Sequence, residues 1–560
     1  MILSGAILPS TVNDFQADAL DDSSLPRTTM PAAEKFYRIF ARLQSKSNRM
    51  PSSTPSTKKD MYNVVVIGAG TAGLVTAAGT AGLGGRVALI ERNKMGGDCL
   101  NFGCVPSKAL ISSARLIQQI RESEKWGLDR QEPQFTFDKI FERMRARRAK
   151  IAPNDSQERF ESLGVDVFRG EARFVSPNEI EVNVVPSPQS SPSGRGGRTA
   201  PGGGQRLCAK NFVIATGSRA TIPNIDGIDG VPFFTNESIF DELRSTPRSI
   251  IILGGGPIGC ELAQMFARLG VQATIVQRNA QLLPREDRDV ADFLERCLAS
   301  EGVRILKNAE ARSATKNSDG TIALQLLDRQ SSAQPETRLV GDVLLVAAGR
   351  TANFRKLDLE AAGVDVSDKG ICVNNFLQTS QPYIYAVGDV IGPFQFTHMA
   401  DAQARVVVRN ILMPFQFLRQ RVDYSVVPWC TYTDPEVAHV GLSEKDAQNN
   451  GTAYDLFRIE LADVDRAVVE SEDTGFAKIL AAKGSDKILG ATIVGPEAGD
   501  LLHEFVLAMK AGIGLGTIGS TIHAYPTLAE LARKAGDKYN KTRLTPNAKK
   551  IFSWLYRRQL

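Results

Sequence analysis

The sequence predicts an α/β protein with two Rossmann-like dinucleotide-binding domains and a C-terminal α+β domain. Three observations predict it. The apolar run Tyr62–Ile67 leads into GAGTAG, a helical stretch, a second apolar run and Glu91. The pattern recurs where Ser249–Leu253 leads into GGGPIGCE, a helix and the run Gln272–Val276. Residues 425 to about 535 lack such a glycine motif and alternate short strand and helix patterns.

Composition bounds the function. The chain has 560 residues, enough for three or four domains of about 150 residues each. Hydrophobic content of 42% and charged content of 23% fit a globular protein with an ordinary core. A net charge of +5 is small for this length, and no base-reading module is present, so no nucleic-acid partner is expected. No run of 18 apolar residues occurs, so no transmembrane segment is expected. Seven cysteines without repeated C-x-x-C or H-x-x-H spacing exclude a disulfide framework and a structural zinc site, and no resident metal is expected. One catalytic pair is the reading that suits a reducing compartment.

In chain order, residues 1–60 are rich in Ser, Thr, Pro and Asp and read as a disordered extension. Within it, AEKFYRIFARLQSKSNRM is basic and fits a short amphipathic helix. Asp14, Asp18, Asp21 and Asp22 weigh against organelle targeting, so a cytoplasmic location is expected, with an organelle as the alternative if this segment is an address. A chain started at Met61 would lose no core element.

Tyr62–Ile67 reads as a buried parallel strand, followed by Gly68, Gly70 and Gly73, a helix over Leu74–Leu83 and a strand over Arg86–Ile90. The glycines permit a tight turn and close approach of a pyrophosphate to a helix N-terminus. Glu91 is placed to bind ribose hydroxyls. GGDCLNFGCVPSKAL follows, with Cys99 and Cys104 separated by four residues and a helix starting near Pro106. The partial positive charge of that helix N-terminus favours a thiolate at Cys104.

Helices are expected over Ser107–Glu124 and Phe137–Lys150. A hairpin of Glu179–Val185 with Leu207–Ile214 is interrupted by a Pro, Gly and Ser-rich loop, 186–206, carrying Arg195, Arg198 and Arg206. The second unit places Gly254, Gly256 and Gly259 before a helix over Glu261–Leu269. Two units suggest two dinucleotides, one held and one exchanged. The second strand of this unit ends in Val276-Gln277-Arg278, without the carboxylate that would repel a 2′-phosphate. Arg278, with Arg285 nearby, favours NADPH; in the alternative, NADH, Gln277 bonds the ribose. A strand over Val343–Ala348 precedes GRTAN, and YAVGDV places Asp389 at the end of a parallel strand, where it can accept hydrogen bonds from cofactor hydroxyls. Strands over 453–460, 477–482 and 488–494 and helices over 499–511 and 527–534 complete the last domain.

The segments GAGTAG, GGDCLNFGCVPSKAL, ATGS, GGGPIGCE, AAGR, YAVGD, TDPEVAHVGLSE and YPTLAE, in this order, resemble the FAD-dependent pyridine nucleotide–disulfide oxidoreductases. That family includes glutathione reductase, dihydrolipoamide dehydrogenase and mercuric reductase. The resemblance implies an FAD-binding domain over 61–218 and 346–424, an inserted NAD(P)H-binding domain over 219–345, a dimerisation domain over 425–540 and a basic tail over 541–560. It implies a homodimer whose active site draws on both subunits. It also implies that Gly97, Thr216, Gly217, Gly349 and Gly388 join the cofactor-binding residues named above. Electrons would pass from NAD(P)H through FAD to a Cys99–Cys104 disulfide and on to an acceptor. Cys104 would face the flavin and Cys99 the acceptor, with Lys108 paired to Glu261 near the flavin.

Within the family, VQRNAQLLPRED and Tyr525 look most like mercuric reductases. Disulfide-reducing members carry a catalytic His before Pro-Thr and a Glu five residues on; here these positions hold Tyr525 and Glu530, and His523 is expected to point elsewhere. An unperturbed tyrosine near pKa 10 is a poor base at neutral pH, which disfavours glutathione or lipoamide turnover and leaves Tyr525 to steer a metal or donate a hydrogen bond. The C-terminal cysteine pair of mercuric reductases is missing from 536–560, and Cys430 reads as a small buried hydrophobe. The expected activity is therefore mercuric reductase-like, on Hg(II) or another soft acceptor, with a dihydrolipoamide dehydrogenase-type reductase and a non-catalytic redox sensor as alternatives. His398, His439 and His503 are expected to be structural. The tail NAKKIFSWLYRRQL is basic and amphipathic, suited to packing across a dimer or to a membrane surface or partner.

Overall fold

The computed structural model describes residues 61–184, 204–329 and 336–559. The expected disordered extension, its amphipathic segment, and Arg195 and Arg198 of the Pro-Gly-Ser loop lie outside the described residues. No helix among the described residues is long and apolar enough to cross a membrane.

The first sheet runs in the order Met61–Ile67, Val87–Glu91, Val165–Ser176, Glu179–Val184, Gln205–Ile214, Ile384–Ala386. The first two strands are parallel, with Val64 opposite Val87 and Ile67 opposite Ile90. Val64, Val65, Val66 and the facing Val87–Leu89 are fully buried, which explains the near-continuous apolar runs. Ile384–Ala386 pairs in parallel with Phe212–Ile214, so a segment 172 residues further along joins the sheet begun at Met61. The hairpin of Glu179–Val184 with Gln205–Ile214 forms as the alternation predicts.

The second unit is a four-stranded parallel sheet in the order Val343–Val346, Ser249–Leu253, Gln272–Gln277, Arg304–Lys307. An antiparallel sheet of Ala309–Lys316, Ile322–Asp328 and Glu336–Gly341 adjoins it. The last domain is a five-stranded antiparallel sheet, Pro428–Thr431, Glu436–Gly441, Ile488–Gly495, Phe476–Ala482 and Tyr454–Glu460, covered by the helix Ala498–Ala511. Asp287, Asp289 and Glu444 converge on the buried Lys478 ammonium at 2.8, 2.9 and 2.5 Å, tying the start of the helix Arg288–Ser300 to this sheet.

Several bounds differ from expectation. Both glycine-motif helices start earlier, at Thr71 and Pro257, because the middle glycine is itself the N-cap. The strand predicted to end at Asp389 stops at Ala386, and Gly388–Ile391 is a tight 3-10 turn. The helix expected over 527–534 runs over Glu530–Thr542. Pro526 has no N–H to give, and the Thr527 hydroxyl turns back to the Ala524 carbonyl at 2.8 Å, so regular helix begins only at Glu530.

Candidate active site

The dithiol segment is set by close backbone contact. Gly97 has φ +59°, and a Cβ there would lie 2.5 Å from the Gly70 Cα. The short helix Gly97–Asn101, which carries Cys99, therefore rests directly on the first glycine turn. In that turn a Cβ on Gly73 would strike the Gly68 carbonyl at 1.7 Å, whereas one on Gly256, the middle glycine of the second turn, would meet nothing within 4 Å. The outer glycines close the turn; the middle glycine of the second turn leaves its face open for phosphates, while Gly70 lies in van der Waals contact with Gly97.

Cys104 opens the helix Cys104–Arg121, with Pro106 in the first turn, where no N–H is needed. Leu110, Ile111, Ala114 and Ile117 form its buried stripe and pack in one core with Phe141 and Met144 of the helix Phe137–Ile151 and with Cys260 and Leu262. That packing fixes Lys108, one turn after Cys104, against the helix Pro257–Arg268. Lys108 Nζ donates to Glu261 Oε2 at 2.6 Å, and Glu261 is 4% exposed. The other Glu261 oxygen accepts from the Tyr432 backbone N–H at 2.9 Å. The Tyr432 ring lies 4.5 Å from the Lys108 ammonium.

Both cysteines are free thiols. Cys104 is pulled down to about 6, chiefly by the hydrogen bond from Cys99; burial opposes this, and the Lys108 charge supports it. Cys99 is pushed far up by the same hydrogen bond, by burial and by the neighbouring Cys104 charge. One sulfur is thus held as thiolate while the other keeps its proton. Thr397 Oγ1 contacts Cys104 Sγ at 3.6 Å, at the start of the helix Thr397–Leu412, so two helix N-termini face that sulfur. Lys108 stays charged, because Glu261 outweighs the burial that would discharge it.

A second network joins the dithiol helix to Asp389. Arg350 Nη2 pairs with Asp98 at 3.2 Å, and Arg350 Nε donates to Ser218 Oγ at 2.7 Å and lies 3.7 Å from Asp389. Ser218 donates to Asp389 at 2.6 Å. Burial raises Asp389, against the hydrogen bond from Ser218 and the Arg350 charge.

The first glycine unit borders a cavity of about 590 Å³ lined by Gly68, Glu91, Asn93, Thr216, Asn353 and Lys356, among others. Glu91 accepts from the Ala69 and Asn93 backbone N–H groups at 2.7 and 2.6 Å. Gln277 takes the corresponding place in the second unit, accepting from Gly255 N–H at 3.2 Å. The gap read in the sequence is therefore filled by a neutral side chain, and Arg278 beside it is exposed. Thr216 Oγ1 donates to the Asn353 carbonyl at 2.5 Å. Gly217, Gly349 and Gly388 all have positive φ at the ends of their strands.

Tyr525 and Glu530 bond different partners, although the Glu530 charge acts on the Tyr525 hydroxyl. Tyr525 is 70% exposed and donates to Asp465 at 2.9 Å, and that acceptor raises its pKa further. Glu530 is buried and bonds Arg533 at 2.6 Å, while its second oxygen has no partner among the described residues. His523 bonds Glu504 at 3.1 Å through Nε2 and the Thr521 carbonyl at 2.9 Å through Nδ1. Both ring nitrogens are therefore engaged with protein oxygens. His439 sits between Thr492 Oγ1 and the Gly441 carbonyl, and His398 and His503 bond the carbonyls of Pro428 and Gly499. Cys430 is half-buried against the core, and burial raises its thiol.

Sequence reasoning did not single out Tyr432, Thr397, Asp98 or Arg350. Tyr432 holds the Lys108–Glu261 pair from both ends, through its N–H and its ring. A Tyr432→Leu variant keeps the N–H and loses the ring; Tyr432→Phe keeps both. Loss of a cation–π contact of about 0.5–1 kcal/mol predicts a few-fold slower turnover and an upward shift in the Cys104 titration for Tyr432→Leu, with Tyr432→Phe unchanged. A pH titration of thiolate absorbance checks it; identical curves for all three proteins would remove Tyr432 from the site.

Residues 62–404 match the family model described as pyridine nucleotide-disulphide oxidoreductase, and residues 427–535 match its dimerisation domain. Dihydrolipoyl dehydrogenase of Bacillus subtilis (strain 168) is 33% identical over 480 residues, 85% of this chain and 97% of that protein. Mercuric reductase of Lysinibacillus sphaericus is 32% identical over 485 residues, 86% of this chain and 83% of that protein. The Cu(II) complex of the HOCl-induced flavoprotein disulfide reductase RclA from Escherichia coli superimposes with a TM-score of 0.73 at 27% identity, covering 85% of this chain and 99% of that one.

Proposed function

The chain belongs to the pyridine nucleotide-disulphide oxidoreductases, and from that premise we propose that it reduces a soft, thiophilic acceptor of the Hg(II) class at the Cys99–Cys104 pair. The family uses FAD and NAD(P)H, and its dimerisation domain supports a homodimer. The glycine turn, the Glu91 carboxylate and the cavity beside it fit FAD; the second turn, open at Gly256 and with neutral Gln277 and exposed Arg278, fits NADPH better than NADH. Bound there, the two cofactors supply hydride acceptance from the nicotinamide and delivery of two electrons to the disulfide.

The chain's own residues then divide the work. On reduction the disulfide takes two electrons and one proton, leaving Cys104 as thiolate and Cys99 as thiol. Lys108, fixed by Glu261 and Tyr432, holds positive charge beside Cys104. Arg350 holds Asp98, and with it the helix bearing Cys99, to Asp389. Cys99 meets the acceptor, which for Hg(II) gives NADPH + Hg(II) → NADP⁺ + Hg(0) + H⁺ overall. In the homodimer that the dimerisation domain supports, exposed Tyr525 would steer the acceptor toward the dithiol of the second subunit.

The observation that carries this reading is the state of Tyr525. Its hydroxyl is committed to Asp465 and its pKa is raised, so it cannot take the proton that disulfide exchange releases. A thiophilic ion binds the Cys104 thiolate and displaces the Cys99 thiol proton to water, so it needs no such base. In an acceptor screen on purified holoprotein, NADPH oxidation with Hg(II) or Cu(II) is expected to exceed that with oxidised lipoamide, oxidised glutathione or quinones by at least about tenfold. Robust lipoamide turnover would make it a dihydrolipoyl dehydrogenase-type enzyme instead. No turnover with any acceptor, with FAD bound, would make it a redox sensor.

A further inference from the structure

The helix Pro546–Arg557 lies beyond the residues matched to the dimerisation domain, which end at 535. Thr545 caps it, accepting from the Ala548 N–H at 3.2 Å, and Pro546 starts it. No residue of it is buried; Ile551, Phe552 and Leu555 are 58%, 49% and 44% exposed. With Ala548 they follow i, i+3, i+4, i+7 spacing and share one face. Lys550 and Arg557 fall on the opposite face, with Lys549 at its edge. Trp554 and Tyr556 lie at its two borders, and the Arg558 guanidinium covers the Trp554 ring at 4.1 Å.

Charge is concentrated here. Residues 541–560 hold Lys541, Arg543, Lys549, Lys550, Arg557 and Arg558 and no acid, a net of +6. The whole chain carries +5, so the other 540 residues sum to −1. The basic character of the protein is therefore the character of this segment.

We propose that this helix docks the enzyme, lying flat, on an anionic lipid surface. Ile551, Phe552 and Leu555 would enter the boundary between headgroups and acyl chains. The bordering aromatic rings would sit at headgroup level, and the lysines and arginines would meet lipid phosphates. Direct pairing of this helix with its copy in a second subunit would set +6 against +6, which charge complementarity disfavours.

The test is flotation of the full-length FAD-loaded protein with phosphatidylcholine vesicles, or with vesicles containing equal parts of phosphatidylcholine and phosphatidylglycerol. Each basic residue near an anionic surface is worth roughly fivefold in binding. Partition onto anionic vesicles should exceed that onto neutral ones by at least about tenfold and weaken with added salt. Phe552→Asp and the combination Lys549→Glu, Lys550→Glu should each abolish the preference while NADPH oxidation is unchanged, since neither touches the core or the dithiol. Equal partition onto both vesicles, or variants that bind like wild type, would overturn the proposal. So would conversion of a dimer to a monomer by Phe552→Asp in a protein that never floats, which would make this helix an interface between copies.

Discussion

Cys104→Ser is expected to lower turnover with every acceptor by roughly a thousandfold or more, as loss of a reacting nucleophile does, while FAD stays bound. The reason is local. Cys104 is the sulfur that the Cys99 hydrogen bond, the Lys108 charge and two helix N-termini hold as thiolate at about 6. A serine hydroxyl neither ionises there nor forms the S–S bond. The residues proposed to cradle FAD, Gly68, Gly70, Gly73 and Glu91, belong to a different turn and do not depend on that sulfur. Cys99→Ser should fail equally at the acceptor step but leave Cys104 titratable. Because the Cys99 hydrogen bond is the largest influence on Cys104, its removal in Cys99→Ala should raise the titration midpoint, and Cys99→Ser, which still donates, should raise it less. The thiolate fraction rises with pH through about 6, so wild-type activity should fall on the acid side of that value and be flat just above it. A pH–rate profile checks this, and full activity in Cys104→Ser would refute the assignment.

Lys108→Met is expected to cost about a hundredfold in turnover, the scale for losing one preorganised charge beside a reacting group. The Cys104 midpoint should move upward, because the positive charge that favours its thiolate is gone. Stability should fall too, since Glu261, 4% exposed, keeps only the Tyr432 N–H. Breaking a buried pair costs about 3–5 kcal/mol; here the figure should be smaller, because Lys108 is 33% exposed. Adding Glu261→Gln should restore thermal stability without restoring activity, separating the structural part from the chemical part. If the double variant recovers turnover as well, the pair serves only the fold.

Much of this was legible in the sequence because its cause is local. Gly73 and Gly259 are dictated by carbonyls five residues before them, and Cys99 and Cys104 by the short segment between two helices. The missing acid at the end of the second strand was visible, but not that Gln277 reaches back to Gly255, since that depends on a rotamer. What stayed hidden is long-range. Thr397 meets Cys104 across 293 residues and Tyr432 meets Glu261 across 171, and neither has a local pattern to announce it. Arg350 bridges Asp98 to Asp389 only in the folded chain. The antiparallel sheet over Ala309–Gly341 was missed for a related reason: its strands mix polar and apolar residues without a strict period. Tyr525 was found by position, but its commitment to Asp465 required the structure.

The proposed reaction turns on one exchange, the oxidation of NADPH coupled to the opening of the Cys99–Cys104 bond. Anaerobic titration of the oxidised holoprotein with NADPH, followed by alkylation and peptide mapping, measures it directly. The expected result is that one equivalent of NADPH makes Cys99 and Cys104, and no other cysteine, newly reactive. NADPH consumed without new reactivity at these two residues, or with reactivity gained elsewhere, would contradict it.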